Sequence, residues 1–105
     1  MIAYTPEPPY FAVIFTTIRT NGDNGYADMA KKMEELASQQ PGYLGIESAR
    51  NELGITVSYW KDLESIRNWK KNVEHQLAQK LGKEKWYAQY KLRICRVEKD
   101  YGFES

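Results

Sequence analysis

Apolar residues alternate between strand-like and helix-like spacing along this 105-residue chain. The segment Tyr10–Arg19 is rich in β-branched and aromatic residues and contains no helix breaker or turn residue, which predicts a strand. Three later segments predict further strands, namely Tyr43–Arg50, Ile55–Trp60 and Tyr90–Glu98. The short Asn-Glu-Leu-Gly connection between the second and third segments has the length of a hairpin turn.

Two other segments repeat apolar residues at helical spacing. The first extends from about Tyr26 to Gln39, and Pro41-Gly42 ends it. The second begins near Asp62, which can cap it, and is expected to continue to Leu81 before Gly82. The apolar stripe of this second helix contains Leu63, Ile66, Trp69, Val73 and Leu77.

The predicted order of elements is strand, helix, strand, strand, helix, strand, which is typical of the ferredoxin-like α+β fold. In that fold both helices cover one face of a four-stranded antiparallel sheet. We expect one domain over residues 10–105. It follows an extended arm over residues 1–9, where three prolines within four residues oppose both helix and sheet pairing.

The first strand is apolar on both of its faces. If the helices cover one face, another surface must cover the second, and a copy of the same sheet packed about a two-fold axis does so. The sequence therefore predicts a homodimer. The two apolar sets are Phe11, Val13 and Phe15 on one face, and Ala12, Ile14 and Ile18 on the other.

Composition excludes several classes of protein. The apolar share of 42% and net charge of +1 are those of a globular domain, with no global attraction to nucleic acid or to anionic lipid. No apolar run is long enough for a membrane span, and the start of the chain does not resemble a secretory leader. One cysteine and one histidine argue against a zinc site, and the single Cys95 fits the cytoplasm.

Several motifs accompany this order of elements. Pro-Gly-Tyr-Leu-Gly occurs within Gln40–Arg50, the third strand ends on Trp60, and Asn68-Trp69 follows on the second helix. Together with Glu74-His75, these motifs resemble the antibiotic biosynthesis monooxygenase (ABM) superfamily of dimeric α+β barrel proteins. The resemblance implies a dimer whose subunits each hold a small pocket between helices and sheet. It also implies a small-molecule ligand, for some members a polyketide-type aromatic compound oxidised without a cofactor.

His75 is the candidate catalytic base. A cofactor-independent oxygenase must deprotonate its substrate before dioxygen reacts, and histidine is the commonest general base near neutral pH. The competing interpretation is a solvated histidine, because His75 shares its helical stripe with polar residues. Candidate substrate contacts are Trp69, Tyr59 and Trp60, and the resemblance places Arg93 near the pocket to hold an anionic oxygen. For each aromatic ring the competing role is core packing or dimer contact.

Two further functions stay open at this point. One is a non-catalytic dimer that binds a small molecule or is related to stress. It would have a ligand-sized cavity without a catalytic base directed into it. The other is a haem-binding or haem-degrading protein, in which Trp69 would flank the macrocycle. In the haem-degrading branch the axial histidine follows that tryptophan by ten residues, a position that Gln79 holds here. The sequence therefore favours a monooxygenase of a small aromatic or quinol-like molecule, with no cofactor and no metal.

Overall fold

The computed structural model describes residues 1–23, 25–75 and 86–105, with side chains up to Asn72 in the second helix. These residues form four strands and two helices in the predicted order. Neither described helix is long and apolar enough to cross a membrane. The elements are β1 (Tyr10–Arg19), α1 (Tyr26–Ser38), β2 (Tyr43–Arg50), β3 (Gly54–Trp60), α2 (Leu63–His75) and β4 (Tyr87–Val97).

The bounds of β1 and β2 agree with those that the sequence predicts, whereas β4 begins at Tyr87 rather than Tyr90. The additional residues of β4 pair with the end of β1, where Arg19 lies opposite Tyr87 beyond an irregularity in the register. Ala88 and Gln89 give no strand signal in the sequence, because neither residue is β-branched or aromatic. Both side chains are exposed. The predicted continuation of α2 to Leu81 lies outside the described residues.

The four strands form one antiparallel sheet in the order β2-β3-β1-β4. This is the ferredoxin-like α+β fold that the order of elements predicts. The central position of β1 explains its apolar character on both faces. Val13 is buried on the face toward the helices, called the inner face below, and Ala12 is buried on the opposite, outer face.

The core between the helices and the inner face centres on Trp60, which is 0% exposed. Its indole N–H donates a hydrogen bond to Ser58 Oγ at 2.9 Å, so burial leaves this polar group satisfied. Tyr43 meets the Trp60 ring edge-on, with ring centroids 5.7 Å apart. The other buried members of this core are Val13, Ala37 and Ile66.

The turn between α1 and β2 packs against the start of α2. Gly42 has a φ of 86°, and a Cβ at this position would clash with the side chain of Ser65. The carbonyl oxygen of Gly42 also accepts a hydrogen bond from the backbone N–H of Lys61 at 2.8 Å. Asp62 caps α2 as predicted, because its Oδ1 accepts a hydrogen bond from the Ser65 N–H at 2.8 Å. Glycine is thus required at residue 42 by both backbone conformation and packing.

One end of the outer face is covered by the N-terminal arm and the C-terminal tail. Glu47 accepts hydrogen bonds from the backbone N–H of Ala3 at 2.9 Å and from the Tyr59 hydroxyl at 2.5 Å. Tyr10 donates a hydrogen bond to Asp100 at 2.5 Å. The other end of this face is open in the single chain, where Ile18 is 42% exposed.

Candidate functional site

A cavity of about 520 Å³ lies between the two helices and the inner face of the sheet. This volume falls within the range of small-molecule sites, roughly 300–1,000 Å³. The cavity forms because the inner face carries small side chains on β2 and β3, where Ser48, Thr56 and Ser58 line it. Helix α1 contributes mainly apolar side chains, including Met29, Ala30 and Met33. The site is therefore an apolar chamber with a few hydroxyl groups on its floor.

The cavity extends along β1 from one aromatic group to another. Phe11 pairs with Trp60 at one level of the sheet, and Thr17 pairs with Gly54 at the opposite level. We call the end of the cavity near Phe11 and Trp60 the tryptophan end. Trp69 lines it, and the ring of Trp60 stacks on Trp69 from the core. We call the end near Thr17 and Gly54 the tyrosine end, and its lining rings are Phe15, Tyr26, Trp86 and Tyr87.

The rings of the tyrosine end contact one another edge-on. Tyr87 lies between Phe15 and Tyr26, with centroid distances of 5.5 Å and 5.8 Å. Trp86 meets Tyr26 at 6.0 Å between centroids. Edge-to-face contacts of this kind hold the rings in fixed orientations. Tyr26 and Tyr87 also form a hydrogen bond through their hydroxyl groups.

Two arginines give this end a positive potential. The guanidinium carbon of Arg19 lies 3.6 Å from the centroid of the Tyr26 ring, and that of Arg50 lies 5.8 Å from it. Burial raises the pKa of Tyr87, and the hydrogen bond with Tyr26 raises it further, while both arginines act to lower it. The net direction keeps the Tyr87 hydroxyl protonated at neutral pH. Because the hydrogen bond with Tyr26 raises the pKa of Tyr87, Tyr87 is the donor in it.

The structure divides the predicted site residues between the two faces of the sheet. Trp69 lines the cavity, and Trp60 supports it from the core without lining it. Tyr59 and Arg93 lie on the outer face, since their strand neighbours Ser58 and Ile94 line the cavity. The structure thus brings Trp69 and Trp60 together and separates them from Tyr59 and Arg93.

Tyr59 has a different set of contacts from those of a pocket residue. Its hydroxyl donates to Glu47, and its ring lies edge-on to Tyr10 with centroids 5.9 Å apart. Burial and the nearby Glu47 carboxylate raise the pKa of Tyr59 to about 12. The same hydrogen bond, with that from Ala3, lowers the pKa of Glu47. Tyr59 therefore helps to attach the arm to the outer face.

His75 is the last residue of α2, and its side chain lies outside the part of the chain that the structure describes. Gln79, the position relevant to haem, lies outside it as well. Three described residues share the predicted stripe of His75, and all three are exposed, namely Glu64, Asn68 and Lys71. Among the described residues, no group of three His, Cys, Asp or Glu side chains is arranged to hold a metal ion.

Sequence reasoning missed Arg50 and Tyr26 at the tyrosine end. Arg50 follows Ile46 and Ser48 at alternate positions of β2, and this period of two was the available signal that it shares their face. Tyr26 opens α1, where its role depends on the loop that follows β1. No local pattern brings Tyr26 to Tyr87, because the contact depends on how the helix lies over the last strand.

The profile of the family described as "Antibiotic biosynthesis monooxygenase" matches residues 9–81 of the chain. The chain belongs to the antibiotic biosynthesis monooxygenase family. The match extends over β1 through α2 and so includes most of the residues around the cavity. This membership confirms the resemblance that the Pro-Gly-Tyr-Leu-Gly motif and the two tryptophans indicate.

Several proteins are similar to this ABM family member. "Uncharacterized protein YqjZ" of Bacillus subtilis (strain 168) is 43% identical over 106 aligned residues, which cover 99% of this chain and 93% of that protein. The crystal structure of SnoaB, a cofactor-independent oxygenase from Streptomyces nogalater, superposes with a TM-score of 0.74 at 7% identity, covering 89% of this chain and 97% of SnoaB. A conserved protein from Methanosarcina mazei Go1 gives a TM-score of 0.74 at 14% identity, covering 86% and 94% of the two chains. These two structures share the fold.

Proposed function

We propose that this ABM family member is a cofactor-independent monooxygenase, an oxidoreductase that oxidises a small aromatic or quinol-like molecule inside the cavity. The observation that carries the proposal is the chamber of about 520 Å³ whose walls are rich in aromatic rings. A planar substrate gains contact with these rings and loses water on both of its faces. The hydroxyl groups of Ser48, Thr56 and Ser58 supply hydrogen bonds that orient it.

The comparisons support this chemistry at the level of the family. SnoaB, whose fold is similar, is described as a cofactor-independent oxygenase. At 7% identity this similarity concerns the fold, so the reaction is our proposal for this chain.

The proposed reaction begins with removal of a proton from the substrate by His75. The resulting carbanion or phenolate is electron-rich enough to reduce dioxygen, which the neutral substrate reduces only slowly. In the proposal Trp69 forms one wall of the site and Trp60 holds Trp69 in place through the stacked contact between their rings. Tyr59 and Arg93 have no part in this cavity, because they lie on the other face of the sheet.

The test is oxygen uptake with 1,8-dihydroxyanthrone, an aromatic ketone with an acidic CH₂ group, in buffer containing a chelator. We expect uptake above the uncatalysed rate, with one dioxygen consumed and one water released for each anthraquinone formed. His75→Ala should lower kcat by about 100-fold if His75 is the base. The control is Asn68→Ala, which changes an exposed residue of the same helical stripe. Full turnover by His75→Ala would remove the base assignment.

The second candidate is a non-catalytic protein that binds a small molecule. The exposure of Glu64, Asn68 and Lys71 favours it, because a stripe facing water is the pattern expected around a solvated histidine. Binding of the anthrone without oxygen uptake would support this candidate. A haemin titration in the same series separates the third one, since a sharp and saturable Soret change would indicate a haem-binding protein.

We also propose that the chain forms a homodimer through the open end of the outer face. Ile18 and Ile55 are large apolar residues that are exposed on the single chain. A second copy of the sheet, related by a two-fold axis, would bury them. Sedimentation at micromolar concentration tests this, and a stable monomer would contradict it. We place the protein in the cytoplasm, where its free Cys95 would stay reduced.

A further inference from the structure

Arg50 is held at the tyrosine end by two features of the neighbouring strands. Its guanidinium donates a hydrogen bond to the hydroxyl of Thr17, which is 2% exposed. The same guanidinium occupies the space beside Gly54, where a Cβ would clash with it. Gly54 has no positive φ. Its missing side chain therefore makes room for Arg50.

The second arginine is used differently. Arg19 donates hydrogen bonds to the backbone carbonyl oxygens of Trp86, Gly22 and Asp23, so its guanidinium holds the loop after β1 against the start of β4. Arg50 has a single hydrogen bond, to Thr17, in the described part of the chain. A guanidinium has five N–H donors, and Arg50 therefore retains donors for a ligand.

Neither Arg19 nor Arg50 forms an ion pair with a carboxylate among the described residues. The ion pair found in this part of the chain joins Arg96 and Glu98. Glu34 also lines the cavity, but it is exposed and lies two turns of α1 away from Tyr26. The tyrosine end thus combines the exposed Arg50 guanidinium, which has no carboxylate partner among the described residues, with two tyrosine hydroxyls and aromatic walls. Carboxylates and phenolates are the groups that a guanidinium beside hydroxyl donors recognises.

We infer that the tyrosine end is an anion subsite, in which Arg50 binds a carboxylate or phenolate oxygen of an aromatic ligand. This inference rests on the proposed role of the cavity as a ligand site. It names the substrate class as aromatic compounds that carry a negative charge at one edge. It also assigns anion recognition to the end of β2, in place of Arg93 on β4.

The test compares two fluorescent probes that share an anilinonaphthalene frame. One is 1-anilinonaphthalene-8-sulfonate, an anion, and the other is N-phenyl-1-naphthylamine, which is neutral. We expect Arg50→Gln to weaken binding of the anion by about tenfold or more, the usual effect of one charge-assisted hydrogen bond, and to change binding of the neutral probe less than about twofold. Arg50→Lys should restore part of the loss. Arg67→Gln, on an exposed residue of α2 that does not line the cavity, is the matched control.

The outcomes separate the inference from the proposed function. Equal weakening of both probes by Arg50→Gln, or no change in either, would overturn the anion subsite while leaving the cavity as a ligand site. Failure of both probes to bind the unmodified protein would instead count against the cavity itself. If Arg50→Gln does not fold, Gly54→Ala displaces the guanidinium while keeping its charge, and the same selective loss of the anionic probe is expected.

Discussion

The indole rings of Trp60 and Trp69 stack on each other, with centroids 6.1 Å apart and an angle of 25° between the ring planes. Trp60 is fully buried at the end of β3, whereas Trp69 is half-buried on α2 and faces the cavity. The wall of the proposed site is thus continuous with the core of the domain. Stability and ligand binding are therefore expected to respond differently to changes at these two positions.

Replacement of Trp69 should affect both properties, and replacement of Trp60 mainly stability. We expect Trp60→Ala to cost about 3–5 kcal/mol of unfolding free energy and Trp69→Ala about 2–4 kcal/mol, since Trp69 is less buried. Among variants that fold, Trp69→Ala should weaken N-phenyl-1-naphthylamine binding, and Trp69→Phe should retain most of it. Denaturant titration and probe fluorescence measure the two effects. Unchanged binding by Trp69→Ala would show that Trp69 does not contact the ligand.

The dimer proposal predicts a selective effect at the open end of the outer face. Ile18→Glu should shift the protein toward monomer, because it places a charge within an apolar contact. Leu63→Glu is the matched control, since Leu63 on α2 is 46% exposed and Ile18 is 42% exposed. Sedimentation velocity across a concentration series gives the answer. The proposal fails if Ile18→Glu and Leu63→Glu sediment alike.

The contact between Tyr59 and Glu47 predicts a loss of stability at alkaline pH. The pKa of Tyr59 rises from 10.0 to about 12 on folding, so the unfolded chain releases this proton first. The stabilising contribution is complete below pH 10 and is lost as the pH rises toward 12. Tyr59→Phe should therefore flatten this part of the curve of unfolding free energy against pH. Tyr101→Phe, which changes an exposed tyrosine, should leave the decline in place.

The same contact predicts a second change at acidic pH. Hydrogen bonds from Tyr59 and Ala3 lower the pKa of Glu47 below its ordinary value of 4.5. This contribution is present above pH 4.5 and disappears as the pH falls through the lowered pKa. Tyr59→Phe removes one of the two donors and should reduce the acid-induced loss. An acid limb identical in the unmodified protein and Tyr59→Phe would contradict the assigned hydrogen bond.

Substitution by alanine should lower the free energy of unfolding by different amounts at two glycines with nearly equal φ. Gly42 has a φ of 86° and Gly25 a φ of 84°, but only a Cβ at Gly42 would clash, with Ser65. Gly42→Ala carries both backbone strain and overpacking, and we expect it to cost about 2–4 kcal/mol. Gly25→Ala carries the strain alone, about 1 kcal/mol. Thermal unfolding of both variants checks the difference, and equal costs would show that the Ser65 contact is unimportant.

The sequence predicts the order of elements well because each strand and helix has its own local signal. The pattern of β1 even indicates that both faces of the sheet must be covered, and Ala12 and Val13 are buried on opposite faces. The start of β4 was missed because Tyr87 joins the strand through pairing with Arg19, which depends on tertiary structure. Long-range pairing of this kind leaves no local pattern.

The site was predicted less completely than the fold. The inward position of Trp69 is predicted by the helical stripe that it shares with Ile66. Both residues line the cavity. The sequence predicts Tyr59 and Trp60 together as substrate contacts, yet adjacent strand residues point to opposite faces. The resemblance implies a position near the pocket for Arg93. Its neighbours Leu92 and Ile94 line the cavity, which puts Arg93 on the outer face by the same alternation.

The most direct test of the central claim, a ligand site between helices and sheet, is N-phenyl-1-naphthylamine binding by two tryptophan variants of α1. Ala30 lines the cavity, whereas Ala27 is exposed on the same helix. Provided that circular dichroism shows both variants folded, Ala30→Trp should abolish saturable binding and Ala27→Trp should retain it. Equal affinity in Ala30→Trp, Ala27→Trp and the unmodified protein would contradict the account, because the probe would then bind elsewhere.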